Sequence, residues 1–416
     1  MMIVRVDLGV VEFDLESATT ALLDRGLENA VREAHKRAAV RAYAEVETFL
    51  AGTRQCPECG AGLKVTKTFK RKIGLLCGPV RIPVRTWGCA CGHTTRPLEP
   101  VMPAGRHSLA LVERGLYLTT MIGYQRSSEA ITHLTAGEIS HGTLQRLASA
   151  EAPRIDAALA ETTEQLYTTG VAPDELVART RADTLVIAVD GGFVPDRSTK
   201  HDFEAKCGVV YGARAEVSKG RMALVDRVAY AGVENVETFG RRMSVVAIEQ
   251  GMLSAGRTIV IGDGAGWIRR MARDVFPDAI YVLDLYHLKH RIRQVFPEEW
   301  EAPIREEATL ACLTGDPLRA IRVLRATAPV PERYEAWRKL LFYIRSNALG
   351  IENYTRTDLF GSGCVEKAVD ILISRRFKLR GMSWLKPGAQ GMVKLKVLRY
   401  NKTWNDHWGS RFAEAA

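Results

Sequence analysis

The chain has 416 residues, 46% hydrophobic and 25% charged, with 35 Gly and 16 Pro. That balance excludes collagen-like, low-complexity and disordered classes, and the length allows about two to four domains. No run approaches the ~18 apolar residues of a membrane span, and the N-terminus lacks a basic segment followed by an apolar one, so a cytoplasmic protein is expected. The formal net charge is +10. Its distribution is uneven: residues 54–85 hold eight basic residues and one acidic one, and residues 366–402 hold ten basic and two acidic. Two separated basic blocks suit a polyanionic partner, most simply nucleic acid.

In chain order, residues 17–50 are rich in Ala, Glu, Arg and Leu and predict a helix within an N-terminal segment, 1–51. Leu22, Leu23, Leu27, Val31 and Ala34 mark its apolar face. From Gly52 the composition turns to Cys, Gly, Thr and basic residues, with β-like segments at 63–69 and 80–87, up to a Pro-rich stretch at 97–103. This second segment, 52–103, carries five of the eight cysteines. Cys56-Pro57-Glu58-Cys59-Gly60 is a half-site for tetrahedral Zn²⁺, because a Gly-containing turn lets two thiolates face one ion. Cys89-Ala90-Cys91 is the second half, one residue shorter than the usual spacing. His93 therefore stands as a substitute for one of that pair, and Cys77 as a further candidate. A closed four-ligand site has no open position for catalysis. Its expected role is to hold a β-hairpin, a zinc ribbon, that presents Lys67, Lys70, Arg71, Lys72, Arg81 and Arg85 to phosphate.

Residues 104–180 predict several short helices. Helix 127–134, a turn at 135–139 and helix 141–148 capped by Ser140 have the outline of a helix-turn-helix, and a further helical stretch covers 151–179, broken near Gly170–Pro173. Gln125, Arg126, Thr143, Gln145 and Arg146 would face base edges. From 181 the pattern becomes α/β. Residues 184–189 (TLVIAV) form a buried strand ending at Asp190-Gly191-Gly192, and two strands follow at 206–217 and 222–231 around a turn at 218–220. A helix covers 236–253, a strand 258–261 ends in Gly262-Asp263-Gly264, a helix covers 267–275, and a strand 280–283 ends in Asp284. The order is β-β-β-α-β-α-β over 181–287, followed by a helical segment, 288–360. The last segment, 361–416, opens with Gly361-Ser362-Gly363 and a helix from 364 to about 379, with Val365, Ala368, Val369, Leu372 and Ile373 as its apolar stripe.

Three acids stand where this order can gather them: Asp190, Asp263 and, bordering that stripe, Glu366. Grouped carboxylates repel unless a cation lies between them, and hard divalent cations such as Mg²⁺ or Mn²⁺ take oxygen ligands. Two such ions activate both the attacking and the leaving oxygen of a phosphodiester. Asp284 also ends a strand and rivals Asp263 as the second ligand; Asp263 is preferred because it follows the fourth strand. Asp183, Asp196 and Asp202 lie before the first strand or in the loop after it and are poorer candidates. Arg375, Arg376, Lys378, Arg380 and Lys386 follow the last acid and would place DNA across it, and Trp384 is an aromatic core anchor or a base-stacking residue.

The runs IGDGAGWI, FPDAIYVLDLYHLKH and GSGCVEKAVDILISRRFKLRGMSWLKPGA resemble bacterial insertion-sequence transposases of the ISKra/ISLre type, relatives of the Mutator-like transposases. The resemblance is close over residues 183–398 and looser before them. It implies an RNase H-like catalytic core with a DDE triad at Asp190, Asp263 and Glu366, and a helical insertion before the Glu-bearing helix. Asp284-x-x-His287 resembles the [C/D]-x-x-H motif of the Mutator-like cores, with a supportive role. The expected function is cutting and joining of the element's inverted repeats into target double-stranded DNA, by a homodimer or higher oligomer at the bacterial nucleoid. The rivals are a nuclease without strand transfer and a domesticated DNA-binding protein.

Overall fold

The computed structural model describes residues 20–52, 54–170, 182–199, 201–218, 221–327, 329–359 and 361–414. The chain forms two compact units, residues 1–148 with 405–416, and residues 149–404. Among the described residues no helix is long and apolar enough to cross a membrane.

The first unit opens with α1 (Thr20–Leu50). The expected apolar face is only partly used: Ala34 is buried, whereas Leu27 and Val31 are exposed. Residues 17–19 and the side chains of Leu22 and Leu23 lie outside the described part. Strands β1 (Lys64–Leu75) and β2 (Gly78–Gly88) make an antiparallel hairpin, extended by the short β3 (Thr94–Thr95). Both long strands outrun the expected segments. Ile73, Val80, Ile82 and Val84 fill one face with Leu98 and Met102, and Val40, Tyr43 and Val46 of α1 pack on this core. Then come α2 (Leu109–Thr119), α3 (Tyr124–Thr135) and α4 (His141–Thr169).

Helix α3 starts three residues before the predicted start, and α4 does not stop at residue 148 but runs on through Pro153 into the second unit. In the turn between them Ala136, not the neighbouring glycine, takes the left-handed conformation, at φ 58°. A Cβ on Gly137 would meet Leu111 at 2.6 Å and the Leu75 carbonyl at 2.9 Å, so the glycine is there for close packing. Ser140 caps α4 as expected, accepting from the Thr143 N–H at 3.3 Å. The expected break after Gly170 falls outside the described residues. The terminal helix α15 (Trp404–Glu414) returns to the first unit from Asn405 onwards.

The second unit is a mixed α/β body around a five-stranded sheet. In chain order its strands are β4 (Thr184–Val194), β5 (Phe203–Tyr211), β8 (Val228–Gly232), β9 (Arg257–Gly262) and β10 (Ile280–Leu283). Between β5 and β8, β6 (Ala213–Ser218) and β7 (Arg221–Val225) make a separate antiparallel ribbon. The two long strands expected here are therefore each split, at Gly212 and at Asp226, the latter with φ 53°; Lys219 and Gly220 lie outside the described residues. Spatial order is β10-β9-β4-β5-β8, with β4, β5 and β8 antiparallel in turn and β9 and β10 parallel to β4.

One face of the sheet packs Leu185, Ile187, Val189, Val210 and Val260 against Phe239 and Met243 of α5 (Val236–Glu249) and Ile268 and Met271 of α6 (Gly266–Val275). The other receives a helical stretch formed by α12 (Gly363–Val369), a π-turn (Asp370–Ser374) and α13 (Arg375–Phe377), and then α14 (Lys386–Tyr400). All five residues of its predicted stripe are buried. Gly192 makes the approach close: a Cβ there would lie 2.9 Å from Ile373 Cγ2 and 3.2 Å from Val369 Cγ1. Between β10 and α12 run α7 (Leu285–Val295), α8 (Ala302–Leu313), α9 (Pro317–Ala326), α10 (Tyr334–Ser346) and α11 (Ala348–Glu352). This segment is helical as expected, although Pro303 starts α8 rather than breaking a helix.

Side chains from other elements bond to the backbone of both edge strands. Asn353 Nδ2 and Tyr354 Oη donate to the Tyr281 and Leu283 carbonyls of β10, each at 2.8 Å. Asn401 does the same for β8, donating to the Ala229 carbonyl at 2.8 Å and accepting its N–H at 2.9 Å.

Candidate active site and metal centre

Three parallel strands bring their carboxyl ends into line. Val189 of β4 pairs with Gly262 of β9, and Gly262 pairs with Leu283 of β10. The next residue on each is an aspartate: Asp190, Asp263 and Asp284. Alternation along a strand puts all three on the face opposite Val189 and its α5–α6 core, which is the face that α12 covers. Contrary to the expectation from the sequence, Asp190 does not end its strand. β4 continues through Gly191 and Gly192 to Val194, and Asp190 pairs with Cys207 of β5. Only the parallel pairing with β9 stops before it.

The three differ in what they bond. Asp284 is fully buried, accepts the His287 N–H at Oδ1 (2.9 Å) and the Ser362 N–H at Oδ2 (2.5 Å), and caps α7. Burial alone would raise its pKa; the hydrogen bonds from His287 and Ser362 outweigh that and hold it at about 2. Asp263 accepts the Ala265 N–H at 2.8 Å, and its carbonyl receives the Tyr343 hydroxyl at 2.7 Å. Asp190 accepts the N–H of Gly191 at 2.7 Å. Burial is the main cause that pushes Asp190 up to about 6; Gly191 opposes it, the charges of Asp263 and Glu366 add to it, and His287 works against it.

Glu366 stands in the first turn of α12, as the sequence suggests. His287 Nδ1 lies 3.2 Å from Asp284 Oδ1 and 3.7 Å from Glu366 Oε1. The hydrogen bond that the His287 ring donates to Asp284 is the main cause that raises the His287 pKa above its ordinary value. The three side chains whose ligand atoms lie within 4.8 Å of one another are thus Asp284, His287 and Glu366. Asp190 and Asp263 lie outside that group; only their charges link them to it, Asp190 feeling Asp263 and Glu366, and His287 feeling Asp263. Ser362 does not cap α12 with its side chain; its N–H is held by Asp284 instead. That contact spans the whole α7–α11 segment and has no sequence signature.

In the first unit, Cys56, Cys59, Cys89 and Cys91 converge, their sulfurs all within 4.8 Å. Cys56 and Cys91 Sγ are 3.6 Å apart, and Cys59 and Cys89 Sγ 3.3 Å. A tetrahedron of thiolates around an ion at ~2.3 Å has edges of about 3.8 Å, so these four cysteines can hold a metal such as zinc. The Cys91 N–H and the neighbouring thiols lower the Cys89 pKa to about 7. His93 is outside the group, with Nδ1 3.2 Å from Glu58 Oε1, and Cys77 is buried elsewhere beside Lys36 and Glu33. The short Cys-Ala-Cys half therefore works without the substitutes expected for it.

The basic candidates divide. Lys70, Lys72 and Arg81 are exposed, with Lys72 directly across from Arg81 in the hairpin. Arg71 instead donates to the carbonyls of Pro103 (2.5 Å) and Gly105 (3.2 Å), and Arg85 pairs with buried Glu47 at 3.0 Å. Arg126, Gln145 and Arg146 are exposed. Lys378, Arg380 and Lys386 are exposed, and Arg375 pairs with Asp370 at 2.7 Å. Arg376 is 1% exposed, its guanidinium 4.9 Å from the Trp384 ring centre. Expected as a DNA contact, it is a core residue, because the end of this helical stretch turns it under Trp384. Trp384 is itself buried against Phe377 at 4.6 Å, which makes it the core anchor.

Residues 111–410 match the uncharacterised protein family UPF0236. The chain belongs to this family. The match runs from within α2 to within α15 and so includes the whole carboxylate site, while the four cysteines lie outside it. No curated protein matches the chain.

Proposed function

We propose that this UPF0236 member is a DDE-type DNA transposase, with an RNase H-like core and Mg²⁺ or Mn²⁺ held by Asp190, Asp263 and Glu366. The observation that carries it is the register. Asp190 and Asp263 are the next residues after the paired Val189 and Gly262, and Glu366 stands in the first turn of the helix over that face. Counted in chain order, the five strands lie 3-2-1-4-5 across the sheet with the second reversed, and this order also supports the reading. So does the resemblance of 183–398 to insertion-sequence transposases.

The chemistry asks for no protein nucleophile. When bound, the divalent cation supplies Lewis-acid activation of the attacking and leaving oxygens. Asp190 has need of it, since burial first, and then the charges of Asp263 and Glu366, make its carboxylate costly to ionise. Asp284 is engaged at both oxygens by backbone N–H groups and acts as a positioning residue for His287 and for the start of α12. Water attacks the phosphodiester at the element's end and displaces a 3′-OH. That hydroxyl then attacks a target phosphodiester, forming one P–O bond as another breaks.

Around the core, the four cysteines are a structural Zn²⁺ site for the β1–β2 hairpin. The α3–turn–α4 pair acts as a helix-turn-helix, with Arg126, Gln145 and Arg146 toward base edges. Two DNA ends have to be joined, so a dimer or higher oligomer assembles on double-stranded DNA at the nucleoid.

The test is incubation of the full chain with Mn²⁺ or Mg²⁺ and DNA carrying its element's ends plus a target plasmid. The proposal expects cuts at the ends and joined product. Cuts without joining favour the nuclease reading; tight binding with neither favours a DNA-binding protein.

A further inference from the structure

Helix α7 begins at the carboxylate site and leads away from it. Leu288, Ile292 and Val295 are its buried side. His287 turns to Asp284 and Glu366, and the Arg291 guanidinium lies 4.3 Å from the Tyr343 ring centre. What remains on the outside is Tyr286, Lys289, His290, Arg293 and Gln294, all exposed and spaced three, four, seven and eight residues from the first. That spacing is a single helical face.

Two features separate this face from an ordinary solvated helix. α7 (LYHLKHRIRQV) has no acidic residue, and neither Lys289 nor Arg293 forms an ion pair among the described residues. The nearby α10 is the contrast: its Glu335 neutralises Arg338 and Lys339. The other feature is Tyr286, a ring 65% exposed rather than packed in a core. It stacks on the His290 ring (6.3 Å, 15°) and stands edge-on to His287 (6.0 Å, 87°), whose imidazole reaches the carboxylates. A flat, open aromatic face fixed beside a phosphoryl-transfer site, followed by unpaired cations, is the chemistry that holds a single nucleic-acid strand.

Resting on the transposase reading, we propose that the outer face of α7 binds the DNA strand next to the scissile phosphate. Tyr286 stacks on an unpaired base there, and Lys289 and Arg293 take the following phosphates. At ~1.5 Å of rise per residue, Tyr286 to Arg293 spans about 10 Å, which matches about three nucleotides of one strand.

The probe is a duplex carrying the element's end with a single-stranded tail, 2-aminopurine in the tail, and Ca²⁺ in place of the catalytic ion. The full-length wild type is expected to quench 2-aminopurine and to prefer tailed over blunt DNA. Tyr286→Ala should lose the quench and about 5- to 100-fold in affinity for tailed DNA, with blunt DNA unchanged. Tyr286→Trp should restore both. Lys289→Ala and Arg293→Ala should each reduce the salt slope by about one phosphate, and Arg322→Ala, on another helix, should not. Cleavage by wild type in Mn²⁺ is measured in parallel. If wild type cuts while the α7 variants bind and quench like it, the α7 assignment is wrong and the transposase reading stands. If quenching depends on Tyr286 but nothing cuts, the catalytic reading fails and the strand track stands. Absence of any binding overturns the α7 assignment as well.

Discussion

The Ser362 backbone N–H donates to Asp284 Oδ2 at 2.5 Å, joining residues 78 apart. The whole α7–α11 segment lies between them. One buried carboxylate therefore closes that loop at its base and fixes where α12, and with it Glu366, begins. The same carboxylate caps α7 through the His287 N–H.

Removing it should cost stability. Asp284→Ala leaves two buried N–H groups without an acceptor, worth about 2–4 kcal/mol by the usual penalty for such groups. Asp284→Asn, which keeps an acceptor oxygen, should lose less. Urea unfolding of the two variants measures this; equal stability of Asp284→Ala and wild type would remove Asp284 from the role of tether.

Asp190 gives a pH signature of the opposite sign. Its folded pKa, about 6, lies above the ordinary carboxyl value of 3.8. A raised pKa favours the folded state below pH ~4 and loses that advantage as pH rises through about 6. The loss is at most about 3 kcal/mol, and less to the extent that solvent reaches the group. Asp190→Asn should therefore stabilise the metal-free protein at pH 7–8, and the gain should vanish near pH 4. Thermal melts at the two pH values, with chelator, decide it. Mn²⁺ should raise the wild-type melting temperature and leave the variant nearly unmoved.

The cysteine cluster predicts about one zinc per chain on metal analysis of protein purified without chelator. Cys59→Ser or Cys89→Ser should lower that content and loosen the β1–β2 hairpin, seen as faster amide exchange in β1 and β2. His93→Ala should keep the metal. Loss of zinc in His93→Ala would restore the histidine to the ligand set.

Arg376 and Arg380 separate packing from surface charge. Arg376→Ala should destabilise by about 2–4 kcal/mol, since the side chain is buried against Trp384. Arg380→Ala, exposed, should leave stability unchanged and weaken the salt dependence of DNA binding.

Much of the second unit was legible because its strands are uninterrupted apolar runs. TLVIAV and TIVIG announce buried parallel strands, and the stripe from Val365 to Ile373 announces a helix packed on a sheet. The pairing of Cys56 and Cys59 with Cys89 and Cys91 was legible from spacing even with the short second half. The strand breaks at Gly212 and Asp226 were not, because β-rich sequence runs through them and only tertiary pairing sorts the residues between sheet and ribbon. Arg376 was misread for a related reason: in a run of cations, nothing local marks the one that a distant Trp384 will cover. The Asp284–Ser362 contact is carried by a backbone N–H, which every residue but proline has, so sequence does not announce it. Among Asp190, Asp263 and Asp284, only the hydrogen bonds show that Asp284 is already occupied.

The central claim is that Asp190, Asp263 and Glu366 together carry metal-dependent DNA cleavage. The most direct measurement is single-turnover cleavage of element-end DNA in Mn²⁺ by wild type, Asp190→Ala, Asp263→Ala, Glu366→Ala and Asp284→Asn, with binding measured separately. The account predicts cutting by wild type, at least 10³-fold slower cutting by each alanine variant at unchanged DNA affinity, and retained though weaker cutting by Asp284→Asn. Full cutting by Asp263→Ala together with none by a folded Asp284→Asn would contradict it and give the second position to Asp284.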